Sequence, residues 1–107
     1  MIVEQPNLSY IKQLAGDDKA FEDKFITILK EEFPGEKEEY YMTLKEERFQ
    51  DTALIVHKLK HKLNILGLEQ GYGIAVEYEE ELKKGNTHNS AAFGSILKTI
   101  ETYLKTI

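Results

Sequence analysis

The sequence has no cysteine. That excludes disulfides, thiolate metal sites and cysteine nucleophiles, leaves packing alone to hold the fold, and suits a reducing cytosol. Long apolar runs are also missing: nothing approaches the roughly 20 residues that span a bilayer, and no basic-then-apolar start resembles a signal peptide. A cytoplasmic protein without a membrane partner is expected. No GxxxxGK[ST] loop and no glycine-rich run after a strand is present, so no nucleotide site is expected. Positive charge is short as well. Lys and Arg number 14 against 19 Asp and Glu, a net charge of −5, which argues against nucleic acid, whose phosphate backbone calls for a broad basic surface.

What remains is a chain of 107 residues with 41% apolar side chains and only two prolines. This is enough for one folded domain over residues 1–107 and short for two. There is no internal repeat or flexible linker, and a monomer is expected. The charge is uneven: glutamates crowd residues 31–47 and 77–81, whereas His57, Lys58, Lys60, His61 and Lys62 form a basic island. Such an island suits one acidic partner site better than a polyanion.

The hydrophobic spacing is helical almost throughout. Asn7 or Ser9 is placed to cap a short first helix carrying Leu8, Ile11 and Leu14 and ending near Gly16. Asp17 is expected to cap a long second helix, with Phe21, Phe25, Ile28, Leu29 and Phe33 at three- and four-residue spacing. Pro34-Gly35 interrupts it, but Tyr40, Tyr41 and Leu44 resume the pattern, which predicts one kinked helix reaching about Glu47. Asp51 then caps a third helix with the stripe Val56, Leu59, Leu63 and Leu66. Beyond Gly67, a fourth helix carries Ile74, Ala75, Tyr78 and Leu82 and closes at Gly85. After a loop over Asn86 to Asn89, a fifth runs from about Ser90 with Phe93, Ile96, Leu97, Ile100, Leu104 and Ile107 on one face. The expected fold is all-α: an antiparallel up-down-up-down four-helix bundle with the short N-terminal helix across one end.

On the third helix, His57, Lys60, His61 and Asn64 share the side opposite the leucine stripe, so His57 is expected to face outward. An exposed neutral imidazole near pH 7 is a competent nucleophile toward phosphorus, and a lysine one turn along is placed to offset phosphoryl charge. Taken singly, each is an ordinary surface residue; their relative position is the informative part. Leu54 and Ile65 edge this face and, with Lys58, would make a docking rim for a protein with an acidic site.

The run Val56-His57-Lys58-Leu59-Lys60-His61-Lys62-Leu63-Asn64-Ile65-Leu66-Gly67 resembles the signature of histidine-containing phosphotransfer (HPt) domains: His, then Leu-Lys, then Leu-Gly about two turns later. The likeness extends to the helix order and to Phe33-Pro34. It implies a phosphorelay intermediate, a carrier rather than an enzyme with its own ATP site. His57 would be the phosphoacceptor, Lys60 the phosphate-stabilising residue and Gly67 a packing glycine. The implied partners are response-regulator receiver domains, a hybrid sensor histidine kinase or both. The implied Mg²⁺ sits on the receiver, so no cofactor is expected here. One departure stands out: His61 occupies the place where the family usually has glycine. It could crowd a receiver, bond the phosphoryl group, compete for it or be a neutral change, and His61 and Asn64 are accordingly candidate modulators. Three rivals stay open: an HPt-like interaction module without phosphotransfer; a plain helical adaptor; and a metal site on His57 and His61. The last lacks an HExxH motif and would need His88 or Glu79 from elsewhere, so no metal is expected.

Overall fold

A computed structural model describes residues 4–107. It contains five helices and, among the described residues, no strand: α1 (Ser9–Ala15), α2 (Lys19–Lys45), α3 (Phe49–Ile65), α4 (Glu69–Lys83) and α5 (Ser90–Leu104). α3 packs most extensively on α4 and next on α2, and α5 touches both α4 and α2, so the four long helices enclose one core.

The expected apolar stripes supply that core. Val56, Leu59, Leu63 and Leu66 from α3 and its C-terminal turn are buried with Leu29 and Phe33 of α2, Ala75 and Leu82 of α4, and Leu97 and Ile100 of α5. At its centre Tyr40, Tyr78 and Phe93 join α2, α4 and α5, with ring centroids 5.2 Å (Tyr40–Phe93), 5.4 Å (Tyr78–Phe93) and 6.2 Å (Tyr40–Tyr78) apart. Buried phenol hydroxyls need a partner, and Tyr40 and Tyr78 provide one for each other at 2.7 Å. Burial pushes both phenols above their ordinary pKa, so the pair stays neutral.

α2 runs through Pro34, which lies on the exposed face; there water can take up the carbonyl that the missing N–H leaves unpaired. Several termini differ from the sequence reading. Asp18, not Asp17, caps α2, its side chain accepting from Phe21 N–H at 3.0 Å. The helix ends at Lys45 rather than about Glu47. Arg48, not Asp51, precedes α3, while Asp51 lies inside its first turn and pairs with Arg48 at 2.9 Å.

Three helices end alike. After α3, Leu68 N–H donates to Leu63 O (2.9 Å) and Gly67 N–H to Asn64 O (3.2 Å); the same pair of bonds closes α4 at Gly85 and α2 at Glu47. This closure puts the residue after the cap at positive φ. Gly67 and Gly85 adopt φ values of 76° and 77° without strain, but Glu47 is held at 59° with a side chain attached. Gly67 therefore has a conformational role besides packing: Asn7 crowds it, and Asn7 N–H donates to Leu66 O at 2.8 Å.

The N-terminal segment is tied down by a residue whose role the sequence did not signal. The Glu4 carboxylate accepts from Gln70 N–H (3.1 Å) and Gly71 N–H (2.7 Å), capping α4 with negative charge at its positive end.

Candidate functional site

His57 lies near the middle of α3, one residue after the buried Val56, and its side chain is 51% exposed. It stands on a ridge between two grooves. One, toward α2, is lined by Glu39, Met42, Asp51 and Lys58 among others; the other, toward α4, by Gln50, Ala53, Glu79 and Lys83. Leu54 borders both and is 65% exposed.

The ring is anchored through one nitrogen. Its Nδ1 lies 3.1 Å from Glu79 Oε1 and 3.3 Å from Oε2. A carboxylate only accepts, which assigns the ring proton of the neutral imidazole to Nδ1 and leaves the lone pair on Nε2. Glu79 is fixed in turn: Lys60 Nζ donates to the same Oε1 at 3.0 Å, and Lys83 Nζ stands 3.7 Å from Oε2. The Glu79 side chain is only 12% exposed. Burial pushes its carboxyl pKa up, but the hydrogen bonds and charge of Lys60 and His57 together outweigh burial and hold it below the ordinary carboxylate value. Glu79 is therefore ionised at neutral pH, as the tautomer assignment requires.

Lys60 falls on the expected helix face but is largely covered, at 13% exposure, with its ammonium on Glu79 and 5.9 Å from the centroid of the Tyr72 ring. It braces the residue that holds the histidine, a different placement from an ammonium waiting in solvent. Lys83, one turn beyond Glu79 on α4, is half-exposed; hydrogen bonding to Glu80 and the nearby carboxylates push its pKa up, so it remains a cation.

His61 is exposed, its ring edge-on to that of His57 at 90° with centroids 5.0 Å apart. Lys58 and Asn64 are also exposed, whereas Ile65 is half-buried against the core and offers less of a rim than Leu54 does. Lys62 does not belong to an exposed basic island: it is buried, with its ammonium 3.1 Å from Glu32 and 2.9 Å from Glu36 on α2. Among the described residues no three His, Cys, Asp or Glu side chains converge on a point fit for a metal ion, and no helix is long and apolar enough to cross a membrane.

Glu79 is the residue that sequence reasoning weighed only as a remote metal ligand. One signal was available: it follows Tyr78 and lies one turn after Ala75, so it flanks the buried stripe of α4, where a carboxylate needs a partner.

Chemically, the cluster offers one solvent-facing imidazole with a fixed tautomer, a carboxylate facing its other nitrogen, and cations on both sides of that carboxylate. No protein-family model, curated protein or solved structure matches this chain.

Proposed function

We propose that this chain is a histidine phosphotransfer module that accepts a phosphoryl group on His57 from a receiver-domain aspartyl phosphate and passes it to another receiver. The observation that carries this reading is the Nδ1–Glu79 hydrogen bond on an exposed histidine. It leaves Nε2 with a lone pair and keeps the ring oriented, as carboxylate-oriented catalytic imidazoles are.

In the transfer, the Nε2 lone pair attacks phosphorus, the N–P bond forms, the P–O bond to the aspartate breaks and its carboxylate departs. The Nδ1 proton stays on the ring. The positive charge that the ring acquires faces Glu79, which is already ionised. Return transfer is the same step reversed, with a receiver aspartate as nucleophile. Positioning and charge neutralisation are what such a reaction asks of the protein, and the receiver supplies Mg²⁺. The helix contacts and short connections support the antiparallel up-down-up-down arrangement, with His57 on the outer face of one helix. A cytoplasmic monomer docking receivers beside Leu54 and Lys58 is the setting this reading implies.

The edge-on His61 ring gives the second reading its footing: it fills space beside His57 and would suit a docking module that no longer transfers phosphate. Incubation with a phosphorylated receiver separates the two. Acid-labile, base-stable phosphate should appear on the chain and vanish in His57→Gln, with helicity by circular dichroism unchanged. Acceptance retained by His57→Gln would overturn the assignment to His57, and no label on the unaltered chain would favour docking alone.

A further inference from the structure

We propose that Lys83, rather than Lys60, is the cation that meets the phosphoryl oxygens at His57, and that Lys60 is a positioning residue acting through Glu79. This rests on the phosphotransfer reading and concerns how the same site handles charge.

Lys60 is committed. Its ammonium is bonded to Glu79 Oε1 at 3.0 Å, is close to the Tyr72 ring and is 13% exposed. Swinging it toward a phosphoryl group on Nε2 would strip a largely buried carboxylate of its hydrogen-bonding cation and release His57 from its anchor. Lys83 is under no such constraint. Its side chain is 47% exposed, its contact with Glu79 is long at 3.7 Å, and its bond to Glu80 (3.1 Å) joins two solvated groups. Surface pairs of this kind hold weakly, and a phosphoryl dianion attracts an ammonium more strongly than a single carboxylate does.

The two grooves beside His57 point the same way. Lys58 lies in the groove toward α2, where Arg48 is taken up by Asp51 and Glu38 and Glu39 remain to repel an arriving phosphoryl group. Lys83 shares the opposite groove with His57, and the one carboxylate there, Glu79, is already engaged by Lys60 and His57. Lys83 is thus the adaptable cation on the less acidic side of the imidazole.

Phosphoramidate, a small phosphoryl donor, tests this on the full chain without a receiver, so docking plays no part. His57 Nε2 forms the N–P bond while the P–N bond of the protonated phosphoramidate breaks and ammonia leaves. Lys83→Ala should slow labelling of His57 by roughly 3- to 10-fold, less than the loss of a donor from a dry site. Lys83→Arg should restore the rate, and the thermal midpoint should not move. Lys60→Ala should shift the imidazole ¹⁵N resonances of His57 toward mixed tautomers, whereas Lys83→Ala should leave them in place. Labelling of Lys83→Ala at the unaltered rate, or slow labelling of Lys60→Ala with the tautomer intact, would overturn the assignment. If the unaltered chain takes no label on His57, the phosphotransfer reading fails and this assignment falls with it.

Discussion

Lys60 and Lys62 are separated by one residue, are similarly covered and are both ion-paired, yet they serve different parts of the molecule. Two positions along a helix are about 200° apart around its axis, so Lys60 reaches α4 and Lys62 reaches α2. Lys62 joins Glu32 and Glu36, whose pairing with it holds α3 against α2 and goes no further. The partner of Lys60 also holds His57, so the same kind of ion pair sets the proton position of an exposed imidazole. What distinguishes the two lysines is the second contact made by the carboxylate.

The largest effect is expected from Glu79→Gln, which keeps the shape and removes the charge that orients His57. Phosphoryl acceptance should fall roughly 10- to 100-fold, the loss that follows when the orienting partner behind a metal-bound histidine is removed. Stability carries a pH signature. The Glu79 carboxyl is held below its unfolded value, so its contribution is fully present above the ordinary carboxylate range and is lost as pH falls through the lowered folded-state pKa. The difference in urea midpoint between the unaltered chain and Glu79→Gln should therefore shrink from pH 6 to pH 3. A difference constant with pH would mean that the carboxylate is not what stabilises.

Next comes the lysine pair itself. Lys62→Ala should cost about 1–2 kcal/mol in urea unfolding, below a fully buried pair because Glu32 is solvated, and should leave the labelling rate of His57 unchanged. Lys60→Ala should cost a similar amount and slow labelling as well. Equal labelling rates in the two variants would mean that the two lysines serve the same role.

The smallest effect lies outside both clusters and serves as a control on stability alone. Glu47→Gly relieves the positive φ after α2 and should stabilise the fold by about 1 kcal/mol, a rise of about 4–8 °C in thermal midpoint for a domain of this size. Labelling of His57 should not respond.

Much of this molecule was legible from periodicity. The stripe Val56, Leu59, Leu63 and Leu66 fixed which side of α3 turns inward and so placed His57 outward. The residues that act across helices were not legible. The bond of His57 to Glu79 and the pairing of Lys62 with Glu32 and Glu36 join positions far apart in sequence, and an ammonium that will be covered is spelled like one that will be solvated. Asp17 and Asp18 are chemically equivalent candidates, and only backbone geometry chooses between them. Glu47 hid a left-handed turn because no glycine marks it.

The Glu4 carboxylate, bonded to the first turn of α4, carries a practical lesson about trimming this protein. Fragments that begin at Ser9, because regular structure starts there, would unbolt the far end of the helix bearing Glu79 and let its opening turn fray. The irregular lead is a fastener, and the histidine's anchor sits on the rod it clamps.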